Sequence, residues 1–436
     1  MSSNRYDAIV VGAGPAGSSA ALTMAQNNLS VALLERGDYP GSKNMFGGTI
    51  YTTPTEEIIP AFWRDAPLER PVVSDELWFV DHDSAVKIGF TGLRFAKPPF
   101  NKFTALRAKF DSWLAHKAVE AGAHLLTKAL ATDLVYERIG LMSKKVDGVL
   151  LDSGDVLRAD AVVLAEGAPA YLAQKAGMRG NMETSSITLY VKEILDLPAG
   201  KIEERFNLEN GCGANIAFIG DPTSGVVGKA AIWTNRDSIS LIVGGYLNQL
   251  ISKGLNPFQL LERTKRHPII KRLLDGAKPV EYMGATIPKG GYKNIPQLYG
   301  YGILVAGDAA MMISGRQGTD LAMLSGKYAA EAVCQAKAKG DFSPDILQAY
   351  ERRIGSSYFM KDIEDNKNVG NYYKKHPDAD YLINKMLNDA AYEYFKTDLE
   401  PGSQKIDKII QQIRSFQHPW KTVKDVYHGI QNWGVF

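Results

Sequence analysis

The chain has 436 residues, 45% of them hydrophobic and 22% charged, an ordinary composition for a globular protein of two or three domains. Its net charge of +2 leaves no electrostatic footprint for nucleic acid, and its seven scattered histidines, without an HxxxH or HExxH pair, suggest no metal site. Two cysteines, Cys212 and Cys334, exclude a disulfide framework, fit a reducing cytoplasmic setting and read as buried small residues. No apolar run reaches the roughly 18 to 20 residues of a membrane span, and the N-terminus enters the first apolar strand directly. Neither a spanning helix nor a signal peptide is therefore expected, while peripheral contact with the cytoplasmic face of a membrane stays open.

Residues 6–17 read YDAIVVGAGPAG. Ala8 to Val11 predict a buried strand, Gly12, Gly14 and Gly17 form G-x-G-x-x-G, and Pro15 and Ala16 open a helical pattern. In such a loop the first glycine permits the tight turn, the second lets backbone approach a pyrophosphate, and the third lets helix and strand pack closely. Phosphates then lie on a helix N-terminus, where free N–H groups and the dipole favour negative charge. A second strand, VALLER, ends at Glu35 and Arg36, 18 residues beyond Gly17. Glu35 is placed to accept hydrogen bonds from an adenosine ribose and to repel a 2′-phosphate, which favours FAD or NAD over NADP.

A glycine-rich loop, PGSKNMFGGTIY, follows. The runs WFV, AVKIGF and LRFAKPPF within 72–100 predict an antiparallel ribbon. Residues 104–121 predict an amphipathic helix with Phe110, Leu114 and Val119 among its apolar positions. The stretch to Gly167 reads as strands joined by tight turns, ending in the buried run Ala161 to Ala165. SITLYVKEIL, ANIAFIG, GKAAIWTN and SISLIVGGY predict a sheet, and a helical pair follows at 256–274. Gly302 to Ala306 predict a buried strand, then Gly307-Asp308 and a helix. The remainder, 341–436, is mostly helical, charged and aromatic. The fold class expected is α/β: a Rossmann-type nucleotide domain built from 1–71, 101–180 and 286–340. A β-rich domain is threaded through it as a ribbon at 72–100 and a sheet at 181–285, with a C-terminal helical region for partner docking at 341–436.

The motifs VVGAGPAGSSAAL, LLERGDYPGSKNMFGGTIY, LRAKFDSWLAHKAVEAGA, IGDPTSGVVGKAAIWTN, IPKGGYKNIP and VAGDAA together resemble the FixC family. These are flavoprotein subunits similar to electron-transfer-flavoprotein:quinone oxidoreductase, in the geranylgeranyl-reductase-like branch of the hydroxybenzoate-hydroxylase fold. The resemblance spans roughly residues 5 to 340.

It implies non-covalent FAD. Arg107, in LRxxFDxWL, becomes a contact to the FAD pyrophosphate, a task suited to a guanidinium; by itself it also reads as a solvated charge. Asp308 becomes a ligand of the flavin-side ribityl or phosphate, or else a plain helix cap. Gly318 and Thr319 offer backbone N–H groups to the electron-rich flavin edge. Gly47-Gly48 and Gly290-Gly291 approach the ring or act only as turns. Lys43 and Asn44 read as ring or substrate contacts or as loop residues, and Ala131 joins the cofactor-binding set. Glu166-Gly167 stand where the family commonly has Asp-Gly, which puts a direct role for Glu166 in doubt.

The activity implied is electron transfer from an electron-transfer flavoprotein, through its α and β subunits, toward a quinone. The family's assembly is a bifurcating one that oxidises NADH and reduces ferredoxin and quinone. Two cysteines cannot hold a cubane cluster, which usually takes four thiolates, so an iron–sulfur cluster is expected only on a small ferredoxin-like partner. Tyr282 and Tyr292, beside the Gly290-Gly291 loop, are candidates for delivering protons to quinone. The aromatic and lysine-rich segment 408–436 reads as a dock for the ferredoxin-like subunit, a membrane contact, or a helical cap on the flavin domain. Two other readings stay open: a geranylgeranyl-type isoprenoid reductase, and a non-catalytic FAD-bound scaffold.

Overall fold

The computed structural model describes residues 5–42, 48–139, 143–289, 291–314 and 317–433. The chain forms two units, one of Met1–Leu68, Ala105–Met182 and Pro288–Lys367, the other of Glu69–Thr104, Glu183–Ile287 and Asn368–Phe436.

The first unit is built on a parallel sheet. Its strands lie in the spatial order Ile303–Val305, Val156–Leu164, Arg5–Val11, Val31–Leu34, His124–Leu126. Numbered along the chain this is 5-4-1-2-3, the doubly wound arrangement. Ile9, Val10, Leu33, Val162 and Val163 are wholly buried, as strands covered on both faces require. The chain reverses its direction of winding between Arg5–Val11 and Val156–Leu164, and ligands of such sheets bind beyond the carboxyl ends of the strands at that point. An antiparallel ribbon, Ala131–Ile139 with Ser143–Leu151, joins the start of Val156–Leu164.

Helices Pro15–Gln26, Arg107–Glu120 and Thr319–Lys339 cover this sheet. In Arg107–Glu120 the buried stripe runs through Arg107, Phe110, Asp111, Leu114, Ala115 and Ala118, a period near 3.6. Val119, expected among the apolar contacts, falls one residue off that stripe and is 38% exposed.

The second unit is built on a sheet in the order Lys278–Pro288, Ile187–Asp196, Ser238–Tyr246, Gly228–Thr234, Gly213–Gly220, Leu68–Val80, Lys102–Ala105, with Ala85–Thr91 paired to Leu68–Val80. LRFAKPPF is not a strand: Leu93–Ala96 is a 3₁₀ turn, and the adjacent Pro98 and Pro99 cannot donate to a ladder. Strand Lys278–Pro288 gave no sequence signal, because most of its residues are exposed and no apolar alternation marks a buried face. One face of the sheet buries Trp78 edge-on against Phe218, with Val191, Leu241 and Val243 beside them and Leu260 and Leu261 of helix Pro257–Arg266 in the same core.

The helical region expected at 341–436 does not form a body of its own. Pro344–Gly355 and Tyr358–Asp365 belong to the first unit, where buried Tyr350 donates its hydroxyl to the Val305 carbonyl at 2.9 Å. Helices Val369–Lys375, Ala379–Phe395, Gly402–Phe416 and Pro419–Trp433 belong to the second unit, where Ile383 packs with Leu77, Phe79 and Ile219. Residues 344–365 thus cover part of the first unit, and the segment 408–436 belongs to the second. Among the described residues no helix is long and apolar enough to cross a membrane.

Candidate functional site

Three stretches of chain meet at the point where the first unit's winding reverses. The glycines of the first stretch do different physical work. Gly12 has φ +102°, and a Cβ there would stand 2.4 Å from the Ala165 carbonyl oxygen at the end of the neighbouring strand. A Cβ on Gly17 would stand 1.8 Å from the Gly12 carbonyl oxygen and 3.1 Å from Val10, so this glycine sets the helix directly on the strand. Gly14 is the opposite case: nothing lies within 4 Å of the position its Cβ would take. It occupies the N-cap of Pro15–Gln26 with no side-chain cap, so the first N–H groups of that helix are open to an acceptor.

Glu35 is buried and bound to this loop. Its carboxylate accepts from Ala13 N at 3.3 Å and from Gly37 N at 2.7 Å, and each oxygen keeps capacity for a further donor. Strand Ala131–Ile139 begins close by in the chain's pairing, since Ala129 N donates to the Glu35 carbonyl at 2.9 Å and Ala131 is buried. Arg36 is exposed.

The last stretch closes on the first. Gly307 has φ +68°, and a Cβ there would approach the Ala16 Cβ to 2.8 Å; a Cβ on Gly326 would reach the Ala16 carbonyl oxygen at 2.0 Å. Small residues at Ala16, Gly307 and Gly326 therefore seat the turn Gly307–Ala310 and the helix Thr319–Lys339 on the glycine-loop helix. Asp308 lies in the 3₁₀ turn Gly307–Ala310, and its carboxylate makes no hydrogen bond with the described residues, so it is not serving as a helix cap. Burial pushes this carboxyl above the ordinary range, while Arg107, Arg179 and Lys289 pull it down.

Arg107 is not a solvated charge. It is 6% exposed and grips Asp111 one turn along its helix through Nε at 2.6 Å and Nη2 at 2.8 Å, with Nη1 donating to the Thr319 hydroxyl at 3.2 Å. Burial works against its charge, but Asp111 and Asp308 outweigh that and hold the guanidinium above its ordinary value. Gly318 N, expected to face the flavin edge, donates to the Asp320 carboxylate at 3.2 Å, and Gln317 Nε2 donates to the same carboxylate at 2.8 Å. Burial pushes Asp320 up to about 6 despite these donors.

Glu166 is occupied. Its oxygens accept from Leu172 N at 2.8 Å and Ala173 N at 3.1 Å, which caps helix Tyr171–Lys175. Gly167 beside it has φ +72° and Gly291 has φ +63°, both with open space at the Cβ position. Gly48 is buried and its carbonyl accepts from Ala105 N at 3.0 Å. Tyr292 lies in the first unit with the Lys367 ammonium 6.0 Å from its ring centre. Tyr282 lies in the second unit, edge-on to Phe258 at 5.7 Å, and burial followed by Glu193 raises its phenol. The expected contacts Lys43, Asn44, Gly47 and Gly290 lie outside the described residues.

Arg179 and Lys289 have no signal of their own in the sequence and belong to the cluster around Asp308, while Asp320 flanks it through Gly318. A lone arginine after a short helix looks like any surface arginine, and Lys289 stood inside IPKGGY without a periodic signal. The arrangement fits an FAD: an open glycine at an uncapped helix N-terminus for the pyrophosphate, a buried acid at the second strand's end for the adenosine ribose, and a cationic cluster around Asp308 returning from late in the chain.

Comparisons agree with this geometry. The model of the family described as pyridine nucleotide-disulphide oxidoreductase matches residues 6–226, and that of the ETF-QO/FixC family C-terminal domain matches 365–434. Protein FixC of Bradyrhizobium diazoefficiens is 37% identical over 441 residues, covering 99% of this chain and 100% of the relative. Protein FixC of Escherichia coli strain K12 is 39% identical over 360 residues, covering 82% and 83%. A geranylgeranyl bacteriochlorophyll reductase-like protein from Thermoplasma acidophilum superposes with a TM-score of 0.72 at 19% identity over 97% of this chain and 98% of its own, a likeness of fold alone.

Proposed function

Because the chain belongs to the FixC family and is an FAD-dependent oxidoreductase of the ETF-QO/FixC kind, we propose that it takes electrons from an electron-transfer flavoprotein and passes them toward a quinone. The observation that carries this reading is the match of both ends of the chain, nucleotide unit and C-terminal domain together, to one family. Bound FAD supplies the redox chemistry. The chain's own part is to bind and orient it. The open N-terminus at Gly14 receives the pyrophosphate, Glu35 the adenosine ribose, and Asp308 the polyol linking phosphate to ring. Arg107, locked bidentately to Asp111, brings Nη1 to the Thr319 hydroxyl at that end of the site.

The chain supplies no redox-active thiol pair in this scheme. Burial raises the Cys212 thiol, and it pushes Cys334 up to about 11, so both stay protonated at neutral pH. A cluster that continues the electron path therefore sits on a small ferredoxin-like partner, within an assembly coupling NADH oxidation to ferredoxin and quinone reduction. Support for a docked partner comes from helix Gly402–Phe416, where Ile406 is 58% and Ile410 40% exposed.

The test is to reduce the FAD-loaded protein with dithionite and titrate it separately with a soluble quinone and with a prenyl lipid. Rapid reoxidation by quinone and none by the lipid is expected. Reoxidation by the lipid alone would overturn the reading in favour of an isoprenoid reductase.

A further inference from the structure

Arg179 stands apart from the other buried cations of the first unit. It is 4% exposed. Nη1 donates to the Asp308 carbonyl at 3.4 Å and the Ala309 carbonyl at 3.2 Å, Nη2 meets the Met182 sulfur at 3.0 Å, and Nε, buried, has no partner among the described residues. No described carboxylate lies within 4.0 Å of it. Asp308 and Glu166 act on it only from further off, and Glu166 is spent on the N–H groups of Leu172 and Ala173. A guanidinium is costly to bury among neutral partners, and the usual compensation is an anion at hydrogen-bonding distance. The described residues do not provide one here. The same turn carries Asp308, whose seat on the glycine-loop helix is fixed by Gly307 against Ala16.

We propose that Arg179 is a cofactor-positioning residue: it fixes the Asp308–Ala309 turn through both carbonyls and supplies positive charge that this turn needs in order to hold FAD. The assignment rests on FAD being the ligand of this site and is independent of which acceptor receives the electrons. It has a consequence for pH. Asp308 is faced by Arg107 from helix Arg107–Glu120, by Arg179 from beyond helix Tyr171–Lys175, and by Lys289 from the end of strand Lys278–Pro288. Burial favours a proton on this carboxyl and the cations oppose it. Removing one cation moves its titration toward neutral pH. The carboxylate that accepts from the cofactor's hydroxyls is then lost progressively as pH falls.

The experiment compares FAD affinity of the full-length apoprotein from pH 5.5 to 8.5, by quenching of flavin fluorescence, for wild type, R179M, R179K, K289M and R179M/D308N (roughly the range in which a shifted carboxyl titrates). Unfolding midpoints of apo and FAD-loaded forms are measured alongside. Wild type is expected to bind with nearly constant affinity. R179M is expected to bind at least about tenfold more weakly at pH 7 and to weaken further toward pH 5.5, a tenfold change being ~1.4 kcal/mol. R179K keeps the flat profile, because the charge remains, but not the full affinity, because an ammonium does not reproduce the planar fork whose one nitrogen holds both carbonyls while the other meets the Met182 sulfur. K289M, whose ammonium makes no hydrogen bond or ion pair with the described residues, gains the same slope without disturbing the turn. R179M/D308N shows no slope. Affinity within about twofold of wild type in R179M at every pH overturns the assignment, as does equal destabilisation of apo and loaded forms with an unchanged pH profile (order-of-magnitude criteria on the same scale). A wild-type protein that binds no FAD overturns the reading beneath it instead.

Discussion

Arg70 in the second unit and Arg179 in the first are both buried, and they are satisfied in opposite ways. Arg70, in the second unit, is 2% exposed and saturated by its own chain: Nε donates to the Asn235 carbonyl at 2.7 Å, Nη1 to Glu203 and the Cys212 carbonyl at 2.9 Å each, Nη2 to the Arg236 carbonyl at 2.8 Å. It ties strand Leu68–Val80 to helix Ala199–Arg205 and to the turn after Gly228–Thr234. Arg179, in the first unit, keeps a buried Nε unspent and has no close carboxylate among the described residues. Equal burial thus distinguishes nothing. What separates a structural arginine from one placed for a ligand is whether the chain uses up its donors.

That contrast can be broken by experiment, beginning where the effect is largest. Arg70→Met strands three carbonyls and Glu203, and it should cost about 3 to 5 kcal/mol in urea unfolding, equally for the apo and FAD-loaded protein. A loss confined to the loaded form would show Arg70 to be a ligand residue.

Asp320 comes next, as a site-flanking group saturated by its own helix. Its carboxyl sits at about 6 in the fold against an ordinary 3.8. Between those values the folded chain holds a proton that the unfolded chain releases, so this group's contribution to stability is fully present below about pH 4 and lost as pH rises to about 6. The loss amounts to about 3 kcal/mol. Asp320→Asn should flatten that part of the stability-versus-pH curve; an unchanged slope in denaturation series would mean the carboxyl is ionised throughout.

The two loop glycines sharpen the comparison further. Gly17→Ala forces a methyl group onto the Gly12 carbonyl and should destabilise the apoprotein by about 1 to 3 kcal/mol, with loss of FAD binding. Gly14→Ala, which meets nothing in the chain, should cost the apoprotein less than about 1 kcal/mol while still weakening FAD, because its methyl group enters the space left for the pyrophosphate. If Gly14→Ala bound FAD as wild type does, the pyrophosphate would have to lie elsewhere.

Much of the candidate site was legible because its signals are local. A strand, three glycines at fixed spacing, a helix and an acid 18 residues on are a few dozen consecutive residues whose backbone needs dictate their identity. Phe110 and Leu114 were readable from the 3.6-residue period, whereas Val119 was misplaced because it lies one residue off the buried stripe. LRFAKPPF looked like a strand by composition, and its prolines overruled that locally. Strand Lys278–Pro288 was silent because it exposes most of its residues.

Local sequence was enough for the class of fold, for the glycine loop with its strand, helix and acid, and, with its two cysteines, for the conclusion that a four-thiolate cluster cannot be held by this chain alone. Tertiary structure decided what no spacing encodes. It divided the C-terminal helices between two units, turned Arg107 from an open charge into the buried partner of Asp111, committed Glu166 to a helix end, and gathered Arg179 and Lys289 about Asp308. The physical reason is that a glycine's role follows from the φ and free space at its own position. The role of a charge depends on which partners, from 4 to more than 100 residues away, consume its hydrogen bonds and screen its field.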